Sequence, residues 1–202
     1  MIPEEKWLLD EKYNGVATAQ FEEDKQRLAA GEPLAYLIGH IPFCAATIHL
    51  NSHPLIPRPE TEHWTDHAIT TIQSRHIEPK INPNKPFNRL KGFTGPIPDT
   101  DSAVRVLDLC AGSGAIGVAV AKAVPEARVT FGEIDTSHLS TIAKNLEAND
   151  ISCTRYQMFQ SNLFSNLTGT FDYILSNPPY IDPSLDRAEP SVKAHEPHLA
   201  LY

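Results

Sequence analysis

The chain has 202 residues, with 17 Lys+Arg against 25 Asp+Glu and a formal net charge of −8. At 41% apolar and 21% charged residues it has the composition of a globular chain with a core, not of a disordered one. The acidic balance argues against holding nucleic acid mainly through its phosphates, and no run approaches about 18 consecutive apolar residues.

Taken in chain order, Met1 to Lys6 is too acidic for a transit peptide and lacks the apolar core of a secretory signal. Residues 1–40 read as a short helical segment, with helical signals at Trp7-Leu8-Leu9 and Phe21–Ala30. Residues 41–77 mix extended and helical signals. The spacing predicts a helix over Glu60–Ser74, with Trp64, Ala68 and Ile72 (i, i+4, i+8) packing as core. His63 and His67 have the spacing of a shared metal ligand pair, but there is no HExxH and no third ligand, so they read as a solvated face and no metal is expected. His49 and His53 flank Asn51-Ser52 ahead of Pro54 and do not share a helix face. Residues 78–101 read as a linker or loop: Glu78 to Asp99 holds five prolines, two glycines and three asparagines. The three cysteines, Cys44, Cys110 and Cys153, are far apart and include no CxxC pair, which points to a reducing compartment rather than a disulfide framework.

Residues 102–202 alternate short apolar runs with helical periodicity. Val104–Leu109 and Arg128–Ile134 read as strands, Ala115–Val124 as a helix stopped by Pro125, and Leu139, Ile142, Ala143 and Leu146 mark one face of a second helix. Tyr156–Phe159 and Phe171–Leu175 are the third and fourth strands of this region. The expectation is an α/β fold with a parallel sheet covered on both faces.

Between the first strand and its helix lies Asp108-Leu109-Cys110-Ala111-Gly112-Ser113-Gly114, and Gly112, Gly114 and Gly117 fit G-x-G-x-x-G. Glycine gives such a turn its unusual φ/ψ and lets a ligand approach the backbone. Glu133 ends the second strand, where an acid can accept both hydroxyls of a ribose. A dinucleotide and S-adenosylmethionine both suit this arrangement, and the glycines alone do not separate them.

Asn177-Pro178-Pro179-Tyr180 follows the fourth strand directly. Two prolines end pairing and stiffen the loop, setting the Asn177 amide and the Pro178 carbonyl at the carboxyl edge of the sheet. Two acceptors there can hold both N–H bonds of an amide or aromatic amine, a poor nucleophile, opposite a methyl sulfonium. The hold tightens as the nitrogen becomes more acidic during transfer. Tyr180 offers an aromatic face to a planar group.

The Asp108–Gly114 and Asn177–Tyr180 blocks resemble class I methyltransferases that modify a planar-system nitrogen. With Gly31-Glu32-Pro33-Leu34-Ala35-Tyr36-Leu37-Ile38-Gly39 and Leu55-Ile56-Pro57-Arg58-Pro59-Glu60-Thr61-Glu62 they resemble the HemK/PrmC family of peptide chain release factor N5-glutamine methyltransferases. The resemblance implies a Rossmann-like class I methyltransferase sheet and S-adenosyl-L-methionine as cofactor. It implies methylation of the glutamine in the Gly-Gly-Gln loop of a class 1 release factor, in bacteria or mitochondria, with no stable nucleic-acid or membrane partner. The cofactor contacts it implies are Asp108, Cys110, Ala111, Gly112, Ser113, Gly114, Glu133, Asn162, Leu163 and Asn177. Asn177, Pro178, Pro179 and Tyr180 would hold the substrate, with Asn177, Pro178 and Tyr180 catalytic. Pro57 to Glu60 would form a loop near the site, without a role read from the sequence.

The chain departs from the family in having Asn162 where an Asp is usual, and in a short N-terminal helical segment. It also ends where the family continues through further strands, so the fourth strand is expected as an apolar sheet edge and the chain as a truncated form. The alternatives are a nucleic-acid adenine or guanine amino methyltransferase, a nicotinamide dehydrogenase (which leaves Asn-Pro-Pro-Tyr without a role), and a non-catalytic cofactor-binding fragment.

Overall fold

The computed structural model describes residues 1–77, 103–185 and 188–202. The linker expected over 78–101 lies outside the described residues.

Three helices open the chain: α1 (Pro3–Tyr13), α2 (Ala19–Ala29) and α3 (Leu34–Ile38). Pro3 sits in the first turn of α1, where a missing N–H costs nothing, and Thr18 caps α2 by accepting the N–H of Phe21 at 3.2 Å. Leu8, Phe21 and Leu37 bury a small apolar cluster. Asp24, fully buried, accepts from Lys12, the Tyr13 hydroxyl and Arg27, and these donors hold its carboxyl below the usual range despite burial.

A hairpin follows, β1 (His40–Phe43) against β2 (Ala46–His49), and then α4 (Pro59–Ile77). The helix begins one residue before the predicted start, with Pro at its first position, and runs three residues further. Ile72 is fully buried and Trp64 packs on the same cluster, as their spacing predicts, while His63 and His67 are exposed. No group of three metal-ligating side chains occurs among the described residues.

The remainder is β3 (Val104–Leu109), α5 (Ala115–Ala123), β4 (Ala127–Glu133), α6 (Thr136–Ala148), β5 (Tyr156–Gln160), β6 (Tyr173–Ser176), α7 (Pro190–His195) and α8 (His198–Leu201). β3 to β6 form one parallel sheet in the order β5-β4-β3-β6, the expected α/β architecture. β6 starts two residues later than its apolar pattern suggests, because Asp172 turns its carboxylate onto the N–H and guanidinium of Arg105. β6 is an edge of this sheet, and Ile174 on it is 52% exposed, the apolar edge anticipated above.

The hairpin is joined to α6 by two asparagines. Asn145 accepts the N–H of His49 at 2.7 Å and donates to its carbonyl at 3.0 Å, and Asn149 does the same to Thr47 at 3.1 and 2.8 Å. Spaced i, i+4 on one face, the two amides act as the missing neighbouring strand of β2. Asn145 also donates to the carbonyl of Ser113, so the hairpin, α6 and the glycine turn are tied at one point.

Candidate functional site

β3 and β6 run in parallel register from Val106↔Tyr173 to Leu109↔Ser176, so the chain leaves both strands at the same height. After Leu109 comes the glycine turn, and after Ser176 comes Asn177-Pro178-Pro179-Tyr180. On one side of β3 the sheet grows through β4 and β5, on the other through β6. Open α/β sheets bind ligands in the crevice at such a reversal of strand order.

The turn takes left-handed backbone at Cys110 (φ 60°), Gly112 (φ 53°) and Gly114 (φ 76°). Gly117 serves packing: a Cβ there would lie 2.3 Å from the ring of Phe131. Glu133 is buried below the turn, with one carboxylate oxygen accepting the N–H of Gly112 at 2.6 Å and the other that of Asp135 at 2.9 Å. Each oxygen keeps acceptor capacity for a ribose hydroxyl.

Asp108 lies beneath the turn rather than at its surface. It is fully buried and accepts the N–H of Gly117 at 2.8 Å, while its other oxygen has no partner among the described residues. Burial pushes its carboxyl up to about 8, against the pull of the Gly117 N–H and aided by nearby Glu133, so a proton sits there at neutral pH. Ala111, Ser113 and Gly114 are buried with it, which leaves Cys110 and Gly112 as the partly open residues of the turn. Burial also raises the Cys110 thiol, which is therefore not a thiolate nucleophile.

Next to Glu133, Ile134 is partly exposed, and Leu163 and Phe164 are about half exposed. The N–H of Ser161 donates to the carbonyl of Glu133 at 2.8 Å, bringing the ends of β4 and β5 together. This apolar rim suits a planar base. Leu163, a cofactor contact implied by the resemblance, stands on this rim, and so does Ile134, whose place immediately after Glu133 on the strand is a usable signal. Asn162 is exposed at the same end of β5.

Asn177, Pro178 and Tyr180 line a cleft of about 170 Å³ together with Leu55, Arg58 and Leu201. Its volume suits one side chain rather than a whole nucleoside. Pro179, between them, is exposed, and the Tyr180 ring is 77% exposed.

The upstream blocks reach the site as well. Tyr36 donates its hydroxyl to the carbonyl of Pro54 at 2.7 Å and stacks on His53 with ring centroids 4.5 Å apart. A Cβ at Gly112 would meet the side chain of Pro54 at 4.0 Å. Arg58 pairs with Glu196 at 2.6 Å, a contact across 138 residues that no local pattern announces. The structure thus brings the glycine turn, Glu133, the Asn-Pro-Pro-Tyr loop and the Leu55–Arg58 loop around one edge of the sheet.

The Methyltransferase small domain family model matches residues 96–190. The chain is 36% identical over 184 residues to a release factor glutamine methyltransferase of Rhodopirellula baltica, covering 90% of this chain and 54% of that protein. It is 30% identical over 197 residues to the protein of that name in Flavobacterium psychrophilum, covering 96% and 60%. It is also 30% identical over 194 residues to a 4-amino-L-phenylalanine/4-methylamino-L-phenylalanine methyltransferase of Streptomyces pristinaespiralis, covering 96% and 59%. Among solved structures, the human Mettl16 catalytic domain in complex with MAT2A 3'UTR hairpin 6 aligns at TM-score 0.48 and 16% identity, covering 78% of this chain and 51% of that one. The chain spans about half the length of the curated relatives it matches. The methyltransferase domain points to S-adenosylmethionine as the cofactor, and the glycine turn, the Glu133 carboxylate and the apolar rim fit its nucleoside. The chain is similar over most of its length to release factor glutamine methyltransferases, and its residues 96–190 match the Methyltransferase small domain.

Proposed function

We propose that this chain carries the chemistry of a protein-glutamine N5-methyltransferase, transferring a methyl group from S-adenosylmethionine to the side-chain amide nitrogen of the glutamine in the Gly-Gly-Gln loop of a class 1 release factor. The observation that carries the reading is the Leu109↔Ser176 register, which sets the glycine turn and the Asn-Pro-Pro-Tyr loop side by side at the reversal of strand order. The names of the relatives support the release factor as substrate. Translation termination would place the protein in the cytoplasm or in mitochondria.

When bound, S-adenosylmethionine supplies an electrophilic methyl on a sulfonium. Glu133 would take its ribose hydroxyls, and Ile134 and Leu163 would enclose its base. The Asn177 side-chain oxygen and the Pro178 carbonyl each accept one N–H of the acceptor amide, fixing its nitrogen and drawing electron density toward it. These two hydrogen bonds strengthen as positive charge builds on nitrogen, so they lower the barrier rather than only the ground state. Tyr180 flanks the planar amide. The departing proton reaches water through the open side of the cleft, where Tyr180 stands exposed. The 4-amino-L-phenylalanine methyltransferase among the relatives is named for an amine whose lone pair is likewise delocalised, the acceptor chemistry this geometry serves.

The test is incubation of the chain with methyl-labelled S-adenosylmethionine and a recombinant class 1 release factor, followed by peptide mass spectrometry. One methyl on the Gly-Gly-Gln glutamine, absent when that glutamine is replaced, is the expected result. Label on another residue, or none from a folded chain that binds cofactor, refutes the reading.

A further inference from the structure

The geometry points to Glu196 as a positioning residue for the acceptor half of the site, with Arg58 as its partner; this rests on the methyltransferase reading above. The Glu196 side chain is 1% exposed. A carboxylate so buried persists only where donors replace its lost hydration. Two do: the backbone N–H of Ile56 to one oxygen at 3.0 Å, and the Arg58 guanidinium to the other at 2.6 Å.

Both partners belong to the Leu55–Arg58 loop, whereas Glu196 belongs to the segment that carries Val192 and Leu201. Leu55, Arg58, Val192 and Leu201 all line the cleft together with Asn177 and Pro178. Glu196 follows α7 directly, and its own N–H donates to the carbonyl of Val192 at 2.9 Å. From the far end of that segment, the carbonyl of Leu201 accepts the N–H of Ile181 at 3.0 Å, one residue beyond Tyr180. The bonds make a chain: Ile56 and Arg58 to Glu196, along α8 to Leu201, and from Leu201 through Ile181 to the Asn-Pro-Pro-Tyr loop. The Ser191 hydroxyl adds a tie to the carbonyl of Gly31 at 2.8 Å. The Leu55–Arg58 loop, the Asn-Pro-Pro-Tyr loop and the 192–201 segment therefore meet at the acceptor cleft, and Glu196 joins the first of them to the last.

Breaking this chain leaves the glycine turn and Glu133 in place, because none of its bonds involves either. Its effect therefore falls on the acceptor and not on the cofactor. Arg58, one-third exposed, lines the cleft, so the hidden carboxylate that binds it also sets where that charge stands.

The experiment uses the full chain as wild type, Glu196→Ala, Glu196→Gln and Arg58→Lys. Acceptor kinetics with a recombinant class 1 release factor are read beside calorimetric affinity for S-adenosylmethionine. Glu196→Ala is expected to raise the acceptor KM by about tenfold or more, with cofactor affinity unchanged. Glu196→Gln still accepts the Ile56 N–H and recovers part of the loss. Parallel loss of cofactor affinity, or an unchanged acceptor KM, overturns the proposal.

Should the wild type bind cofactor and methylate nothing, the functional reading fails, and amide hydrogen exchange decides the positioning role alone. Faster exchange at Ile56 and Ile181 in the variants, with Gly112 and Asp135 unchanged, upholds it. Unchanged exchange at Ile56 overturns it. If Glu196→Ala does not fold, Glu196→Gln carries both measurements.

Discussion

Ser176 donates its hydroxyl to the carbonyl of Leu109 at 2.7 Å, joining the last residue of β6 to the last residue of β3. This hydrogen bond adds to the strand ladder at the point where the cofactor turn and the acceptor loop depart. Replacing Ser176 by Ala should cost about 1 kcal/mol of stability, the ordinary worth of such a bond. It should lower methyl transfer by more than that loss accounts for, because the angle between the two loops is freed. Urea unfolding beside single-turnover methylation checks this. Equal activity in the variant would mean that the strand ladder alone sets the geometry.

Gly117→Ala sets two effects against each other. Alanine favours the helix by about 1 kcal/mol. Against that, its Cβ would stand 2.3 Å from one ring carbon of Phe131 and 3.0 Å from the Asp108 carboxyl, in a layer with no free space. Overpacking of this kind costs about 1–3 kcal/mol, so net destabilisation is expected. Combination with Phe131→Leu should recover part of it. A stabilised single variant would show that the ring moves freely.

The buried carboxyl of Asp108 gives stability a defined pH dependence. Its folded value, about 8, lies above the ordinary 3.8, so the native state holds a proton that the unfolded chain releases. The contribution is complete below the ordinary value and is lost as pH rises toward the folded one, with a slope of at most about 1.4 kcal/mol per pH unit. Asp108→Asn keeps the acceptor for the Gly117 N–H and carries no titrating proton. Urea midpoints taken between about pH 5 and pH 8 should shift steadily in favour of the variant as pH rises. Parallel profiles would show that the carboxyl is ionised throughout.

The parts of this structure that repeat locally are legible in the sequence. The alternation from Val104 onward gives four strands and one helix within a residue or two, and the buried face of a second helix. The glycines and Asn-Pro-Pro-Tyr mark the loops at the carboxyl edge. The burial of Ile72 follows from helical spacing alone. What is not legible depends on distant partners. Asn145 and Asn149 look like ordinary polar helix residues until β2 is laid beside them, 96 and 102 residues away from the atoms they bind. Asp108 sits in a motif associated with the cofactor, yet the close packing of Gly117 on Phe131 draws it under the turn. Arg58 and Glu196 carry no signal of each other, because an ion pair between loops has no period.

The account divides the site into a cofactor half around Gly112 and Glu133 and an acceptor half around Asn177. Calorimetric titration of the purified chain with S-adenosylmethionine, as wild type, Glu133→Ala and Asn177→Ala, tests that division most directly. Micromolar binding by the wild type is expected, with a loss of about tenfold or more in Glu133→Ala, where charge-assisted hydrogen bonds to the ribose are removed. Asn177→Ala should bind nearly as the wild type while methyl transfer disappears. Failure of the folded wild type to bind, or equal loss of affinity in both variants, would contradict the account.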